Sequence, residues 1–220
     1  MLAGCCVLCR GVSEYSLCPG CLADLPRIRA ACRCCGIPLS VAALCGQCQR
    51  RPPHFDTTVA LYEYSYPLDR LIAQFKYRAE LRLATPLAGA LLQTGAKRSV
   101  DAIIPVPLHW RRQAMRGYNQ ALLLARVVGS RLETPVLASV ARRTHATPAQ
   151  VGLGAKARRR NLRGAFILRG NAGSLQGKAI AIVDDVITTG DTTNEYARVL
   201  KAAGVAQVTV WALARAALAR

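Results

Sequence analysis

Acidic residues are scarce in this 220-residue chain: Asp and Glu number 12 against 30 Lys and Arg, a formal net charge of +18. That imbalance requires an anionic partner of some kind. Lysine is scarce as well. Only residues 76, 97, 156, 178 and 201 are Lys, so the charge rests on Arg, whose planar fork grips phosphate oxygens in pairs. Aromatic residues are 5% of the chain, few for a platform on which the bases of a single strand would stack. No apolar run approaches the ~18 residues of a membrane-crossing helix, which excludes a helical membrane protein. No low-complexity tract occurs, and no cysteine lies beyond Cys48. What is present is apolar material, 52% of all residues, enough for a core and incompatible with wholesale disorder. The length suits one ordinary domain with a small attachment.

The positive charge is concentrated. From Ala102 to Val183, twelve Arg and two Lys meet a single acid, Glu133. A phosphate site, a nucleic-acid face or a solvated Arg-rich surface would each produce this, and charge alone does not separate them.

All ten cysteines fall in the first 48 residues. Together with Arg50-Arg51-Pro52-Pro53, this composition shift places a boundary near residue 52, dividing the chain into 1–52 and 53–220. Eight of the ten form pairs of identical spacing: Cys6/Cys9, Cys18/Cys21, Cys32/Cys35 and Cys45/Cys48. Two thiolates separated by two residues can face one metal from a single tight turn, and two such turns complete a tetrahedron. The reading is two zinc sites, each held by four thiolates. Consecutive use of the pairs is preferred, although an interleaved pairing fits the spacings equally. A disulfide framework would need an oxidising compartment, and no secretory leader precedes these cysteines, so the expected location is cytoplasmic. Leu2-Ala3-Gly4-Cys5 mimics a lipoprotein cleavage box but lacks the basic and apolar leader. Cys5 and Cys34 are spare, and because each adjoins a proposed ligand, the ligand choice is open by one residue. A module this small has little other core, so metal should supply its folding energy.

The second signal is Gly177-Lys178-Ala179-Ile180-Ala181-Ile182-Val183-Asp184-Asp185-Val186-Ile187-Thr188-Thr189-Gly190-Asp191-Thr192-Thr193. Ala179–Val183 is an apolar run bounded by polar residues, the pattern of a strand buried on both faces. A helical pattern follows from Thr192 to Ala203 and stops at Gly204, and Val208–Leu213 reads as the next strand. Strand, polar loop, helix and strand make one βαβ unit, so the sheet is parallel and ligands bind beyond the carboxyl ends of its strands. Thr188, Thr189, Gly190, Asp191 and Thr192 sit there, offering hydroxyls and backbone N–H groups at a helix N-terminus to a phosphate. Asp184 and Asp185, just before them, suit the neighbouring hydroxyls of a ribose and can hold a hydrated Mg²⁺ indirectly.

This string resembles the signature of the type I phosphoribosyltransferases, which bind 5-phosphoribosyl 1-diphosphate (PRPP). Three further stretches narrow the resemblance. They are Pro105-Val106-Pro107-Leu108 with Arg111-Arg112 and Arg116-Gly117-Tyr118-Asn119-Gln120; Gln150-Val151-Gly152-Leu153 with Arg158 to Phe166; and Lys76-Tyr77. With the cysteine pairs in front, these resemble the ComF/GntX family of competence proteins across essentially the whole chain; Tyr118 stands where Phe is commoner. The resemblance implies an α/β, type I phosphoribosyltransferase-like domain, a parallel sheet flanked by helices, behind a double zinc ribbon. It also implies PRPP with Mg²⁺ as ligand. Asp184, Asp185 and Arg116 would form the catalytic set, with Thr188, Thr189, Gly190, Asp191, Thr192 and Val183 around the ribose phosphate. Arg111 and Arg112, in a pyrophosphate loop spanning Leu108 to Gly117, would hold the diphosphate, and Thr144 to Gly164 would close over the site. The metal ligands would be Cys6, Cys9, Cys18, Cys21, Cys32, Cys35, Cys45 and Cys48.

Function stays divided at this point. The chain is expected to be a phosphoribosyltransferase of unknown acceptor, or a non-catalytic sensor of PRPP or nucleotides. A role in DNA uptake during natural transformation, with single-stranded DNA and other competence proteins as partners, is compatible with either. No dedicated general base is evident among His54, His109 and His145. Type I enzymes also carry a hood that selects the acceptor, and here it would come from about His54–Leu92 or from the zinc module. The remaining expected elements are helices at 68–77, 83–92 and 120–131 and strands at 101–106, near 135–140 and at 166–168.

Overall fold

The computed structural model describes residues 4–93, 100–145, 161–170 and 172–217. The chain opens with the short strands β1 (Gly4–Cys5) and β2 (Val12–Ser13) and the helical turns α1 (Pro19–Ala23) and α2 (Gly46–Arg50). Next come β3 (Thr57–Glu63), α3 (Leu68–Tyr77), α4 (Ala84–Leu92), β4 (Ala102–Pro105), α5 (Trp110–Arg116) and α6 (Gln120–Leu132). The chain continues through β5 (Ala141–Arg143), β6 (Phe166–Leu168), β7 (Ala179–Ile187), α7 (Asp191–Ala202) and β8 (Gln207–Arg215).

Four strands form the central sheet in the order β3-β8-β7-β4, every neighbouring pair parallel. The expected α/β architecture, a parallel sheet between helical layers, is the one observed. The helices follow from apolar spacing. In α3, Leu68, Leu71, Ile72 and Phe75 recur at three- and four-residue intervals and are buried; in α7, Thr193, Tyr196, Ala197 and Leu200 do the same. The α3, α4 and α6 side chains pack with Val183, Trp211 and Leu213 on one face of the sheet. On the other face, Tyr196, Leu200 and Phe166 meet Ile180, Ile182 and Val210. The middle strands β7 and β8 are thus covered on both sides, which explains the unbroken apolar run in β7. Each fully buried Leu, Ile or Val there contributes about 1.5–3 kcal/mol.

Both edges of the sheet are covered by short pieces of chain. Along β3, Ile28 donates to the Leu61 carbonyl (2.9 Å) and Glu63 to that of Pro26 (2.8 Å), an antiparallel annealing of the segment between the two cysteine clusters. Along β4, Ile103 donates to Pro135 and receives from Leu137. The N-terminal module also shares the core: Cys6, Val7, Leu17 and Leu25 belong to the cluster holding Tyr62 and Trp211.

Three expectations change. The strand near 135–140 shrinks to one bridging residue, Val136, because the next β4 residue facing that edge, Pro105, has no N–H to extend the ladder; pairing resumes in the antiparallel β5–β6 ribbon. The loop from Leu108 to Gly117 is largely helical, as α5. Thr57–Glu63, placed in the hood region, is an edge strand of the central sheet. Gln150 to Gly154 and Arg158 to Arg160 lie outside the described residues. No helix among the described residues is long and apolar enough to cross a membrane.

Candidate functional site

The cysteines resolve into two groups with the consecutive pairing: Cys6, Cys9, Cys18 and Cys21, then Cys32, Cys35, Cys45 and Cys48. Within each group the four Sγ atoms lie within 4.8 Å of one another. A tetrahedral zinc with Zn–S near 2.3 Å has an S···S edge of about 3.8 Å. The Cys9–Cys18 and Cys35–Cys45 separations of 3.9 and 3.7 Å match it. The donor set therefore fits zinc, and each group can hold one ion; Cys5 and Cys34 stand outside both.

The two groups are built alike. Backbone N–H groups of Cys18 and Cys21 point at the sulfurs of Cys6 and Cys18, and those of Cys45 and Cys48 at Cys32 and Cys45. Burial works to raise the Cys6 and Cys32 thiols, but these and neighbouring N–H donors prevail and bring each down to about 6, favouring the thiolate a metal needs. The residue four places after the first cysteine is left-handed in both groups, Arg10 at φ 64° and Gly36 at φ 68°. Only the second must be glycine, since a Cβ there would stand 2.9 Å from Thr58 Cγ2 on β3.

The second site lies at the carboxyl end of β7. Asp184 and Asp185 are adjacent on the strand, so they leave it on opposite faces. Asp185 is 2% exposed, and its Oδ1 accepts from Lys76 Nζ (2.9 Å) and from Val186 N (2.7 Å). Its Oδ2 is buried with no hydrogen-bond partner among the described residues. Burial, then the neighbouring Asp185, push the Asp184 carboxyl up to about 7, against the pull of Lys76 and Arg143. In Lys76 burial favours the neutral amine, but the Asp185 carboxylate overrides it and raises the pKa. Val183, fully buried, lines the core just before this pair and shows no side chain to the opening.

Beyond Ile187 the chain turns into α7 through Thr188, Thr189 and Gly190. Gly190 caps the helix at φ 83°, a left-handed conformation that a side chain would strain. The Thr189 hydroxyl donates to the Asp191 carboxylate (2.8 Å) and receives the Asp191 N–H (3.3 Å), while Thr193 Oγ1 donates to the Gly190 carbonyl (3.0 Å). Thr188 is exposed, and Thr192 is half-buried in the first turn. Polar hydroxyls and a twelve-residue helix N-terminus thus converge on one spot.

Of the three candidate diphosphate arginines, Arg112 lies in electrostatic range of Arg143, which in turn interacts with Asp184. Arg143 feels both the repulsion of Arg112 and the attraction of Asp184, and burial lowers the Arg143 pKa. Arg111 lies over the Trp110 ring (5.2 Å) and Arg116 over Tyr77 (5.2 Å), the latter also donating to Gln120 Oε1 (2.5 Å). The remainder of that motif is scaffolding. Tyr118 donates its hydroxyl to the Phe75 carbonyl. Asn119 caps α6 through Ala121 N and Leu122 N and donates to the Val106 carbonyl (3.0 Å). His109 caps α5 by accepting from Arg111 N. Sequence reasoning missed Lys76 and Arg143 as members of the site. Lys76 had a signal, being one of few lysines and set beside Tyr77; Arg143 had none beyond its charge.

A cleft of about 1000 Å³ adjoins the Thr189–Asp191 turn on the side of the second cysteine group, with Arg51, His54, Arg163 and Arg198 in its wall. Arg198 is occupied by Glu195 (2.8 and 2.9 Å), which also accepts from Gly164 N.

No family model matches the chain. It is 39% identical to competence protein F of Haemophilus influenzae over 222 residues, covering 96% of both chains. It is 36% identical to the DNA utilization protein YhgH of Escherichia coli O157:H7 over 223 residues, covering 96% of this chain and 97% of the other. Among solved structures, a purine phosphoribosyltransferase from Pyrococcus horikoshii is 18% identical with a TM-score of 0.38, over 72% of this chain and 77% of that one, a likeness too distant to carry an argument. A shared identity near two residues in five across almost the full length of both chains shows kinship, and the chain belongs to the ComF family of competence proteins.

Proposed function

We propose that this protein binds PRPP with Mg²⁺ at the end of β7 and transfers the phosphoribosyl group to an acceptor, in a task connected with DNA uptake. One observation carries the reading: a hydroxyl-lined helix N-terminus at Thr188–Thr192 follows two adjacent carboxylates at the end of β7, with Lys76 paired to Asp185 and Arg143 in electrostatic range of Asp184. In this reading the 5-phosphate takes the Thr188–Thr192 turn and the ribose hydroxyls donate to Asp184 and Asp185. Arg112 and Arg143 hold the diphosphate. Arg116, expected to act directly, would need to leave Tyr77 and Gln120 to reach it. As the C1–O bond to the diphosphate breaks, the guanidinium groups stabilise the charge gathering on the leaving oxygens. An acceptor lone pair forms the new bond to C1. Bound alongside the diphosphate, Mg²⁺ supplies further neutralisation of that charge. The cysteine groups take two zinc ions in a structural role.

Labelled PRPP-Mg²⁺ is to be incubated with a panel of bases and nucleic acids. Pyrophosphate release dependent on one acceptor supports transfer. Calorimetric binding without release identifies a sensor, and absence of binding overturns the site.

A second reading, single-stranded nucleic-acid binding, is favoured by a particular arrangement. Aromatic residues are few, yet Tyr66, Tyr77 and Trp110 are 66–75% exposed, each with an Arg (Arg70, Arg116, Arg111) 5.2–5.8 Å from its ring centre. Exposed rings paired with guanidinium groups can stack bases and neutralise phosphates together.

A further inference from the structure

Arg215, the last residue of β8, is 2% exposed although charged. Its Nη1 donates to the carbonyls of Ile187 (3.2 Å), Thr188 and Ala216 (2.9 Å), and its Nε donates to the carbonyl of Cys35 (3.0 Å). Ile187 and Thr188 begin the turn that leads to Gly190 and α7. Cys35 belongs to the second cysteine group. One buried guanidinium therefore holds the phosphate-turn backbone with one arm and a metal-ligand residue with the other.

The pairing is unusual in its charge. A buried guanidinium ordinarily needs an anionic partner, and among the described residues no carboxylate is ion-paired with Arg215. Carbonyl oxygens satisfy its N–H groups but supply no net charge. Burial lowers the Arg215 pKa, and the negative charge that works against it comes from the sulfurs of Cys35, Cys45 and Cys48. Four thiolates around one zinc keep a net charge of about −2. Among the described residues Arg215 reaches a ligand of the second group and none of the first, although the internal geometry of the two groups is repeated.

We infer that Arg215 is a positioning residue that couples the second zinc group to the phosphate turn, so that metal at Cys32, Cys35, Cys45 and Cys48 and phosphate at Thr188–Thr192 strengthen each other's binding. The inference rests on the phosphate reading of that turn. Metal fixes the Cys35 carbonyl and keeps the four sulfurs as thiolates, whose charge faces the guanidinium; Arg215 stays in place, and the carbonyls of Ile187 and Thr188 stay turned toward it. The opposite side of the turn is thereby left to the ligand. Coupling of this kind is reciprocal.

The test uses the full-length, zinc-loaded protein and ribose 5-phosphate, which lacks the diphosphate that would itself chelate zinc. Calorimetry measures sugar-phosphate binding, and transfer of zinc to a chromophoric chelator is followed with and without the ligand. The expected result is that saturating ribose 5-phosphate slows release of one of the two zinc ions about fivefold or more, within the usual span of coupling between sites. Cys9→Ser, which weakens the first group, leaves the protected phase in place. Arg215→Lys retains a charge but cannot reach both carbonyl sets, so it still binds zinc yet loses the protection. Unchanged release of both ions while calorimetry shows ligand bound overturns the coupling and leaves the phosphate site standing. Absence of ligand binding overturns both. Should Arg215→Lys fail to fold, the wild-type release measurement decides alone.

Discussion

Replacing Lys76 by Met removes the cation of a buried ion pair and leaves its partner behind. Lys76 Nζ lies 2.9 Å from Asp185 Oδ1, with side-chain exposures of 19% and 4%. At an effective dielectric constant near 20 the attraction at that separation is roughly 6 kcal/mol, most of it cancelled by the cost of drying both ions. Deleting one partner forfeits the attraction while the other group stays dry, so Lys76→Met should destabilise the fold by about 3–5 kcal/mol at pH 8.5. The loss should shrink at pH 5.5. Asp184 already sits near 7 because of burial and Asp185, and without Lys76 its pKa moves higher still. A carboxyl whose folded pKa is raised adds stability that is complete below its unfolded value and is lost as pH rises through the folded one. Acid thus lets the pair carry a proton and relieves the uncompensated charge. The double variant Lys76→Met/Asp185→Asn removes both charges and should recover most of the stability. Urea denaturation of wild type, single and double variants at both pH values is the assay. A single variant that loses less than about 1 kcal/mol at pH 8.5, or a double variant no better than the single, would refute this account of the pair.

Further outcomes are expected. Metal analysis should find about two zinc ions per chain, and chelation should expose the first 50 residues to protease, since metal supplies the module's stability; cysteines recovered as disulfides would contradict this. Asp184→Ala/Asp185→Ala should abolish most PRPP binding, each lost charge-assisted bond being worth roughly 1.5–3 kcal/mol. In the wild type, affinity measured by calorimetry should fall as pH drops below about 7, because protonated Asp184 loses the charge that strengthens its bonds from the ribose hydroxyls; a flat profile between pH 5.5 and 8 counts against that role. Asn119→Ala should cost roughly 0.5–2 kcal/mol in a melting experiment through loss of the α6 cap. If the exposed Tyr and Trp bind single strands, the logarithm of affinity should fall with log salt at about −0.7 per phosphate contact, and Tyr77→Ala with Trp110→Ala should weaken binding without altering that slope.

What the sequence disclosed depended on the range over which each feature acts. The α3 and α7 helices and the β7 strand declare themselves because their apolar spacing repeats within a few residues. The cysteine groups declare themselves because each ligand pair is local, although only the folded chain distinguishes consecutive from interleaved use. Helix α5 was hidden: no side chain in it is buried, so it has no apolar stripe, and His109 is not a customary cap. Strand β3 was hidden by its position between the cysteine module and the first helices, where both of its edges are taken by partners distant in sequence. Lys76 and Arg215 illustrate the limit. Their partners stand far along the chain, at Asp185 for one and Cys35 for the other, and no local pattern announces such a pairing.

The strip Pro26–Ile28, annealed to the outer side of β3, also bears on how the protein behaves when metal is short. It is the bridge between the two cysteine knuckles, and both are fastened only while their thiolates are gathered. Chains stripped of zinc would let that strip peel away, leaving a row of unpaired N–H and C=O groups along β3 with a largely apolar sequence. An exposed strand of that kind pairs readily with its counterpart on another molecule. Metal starvation should therefore appear first as self-association, through the sheet's own hydrogen-bonding register, before the α/β core loosens.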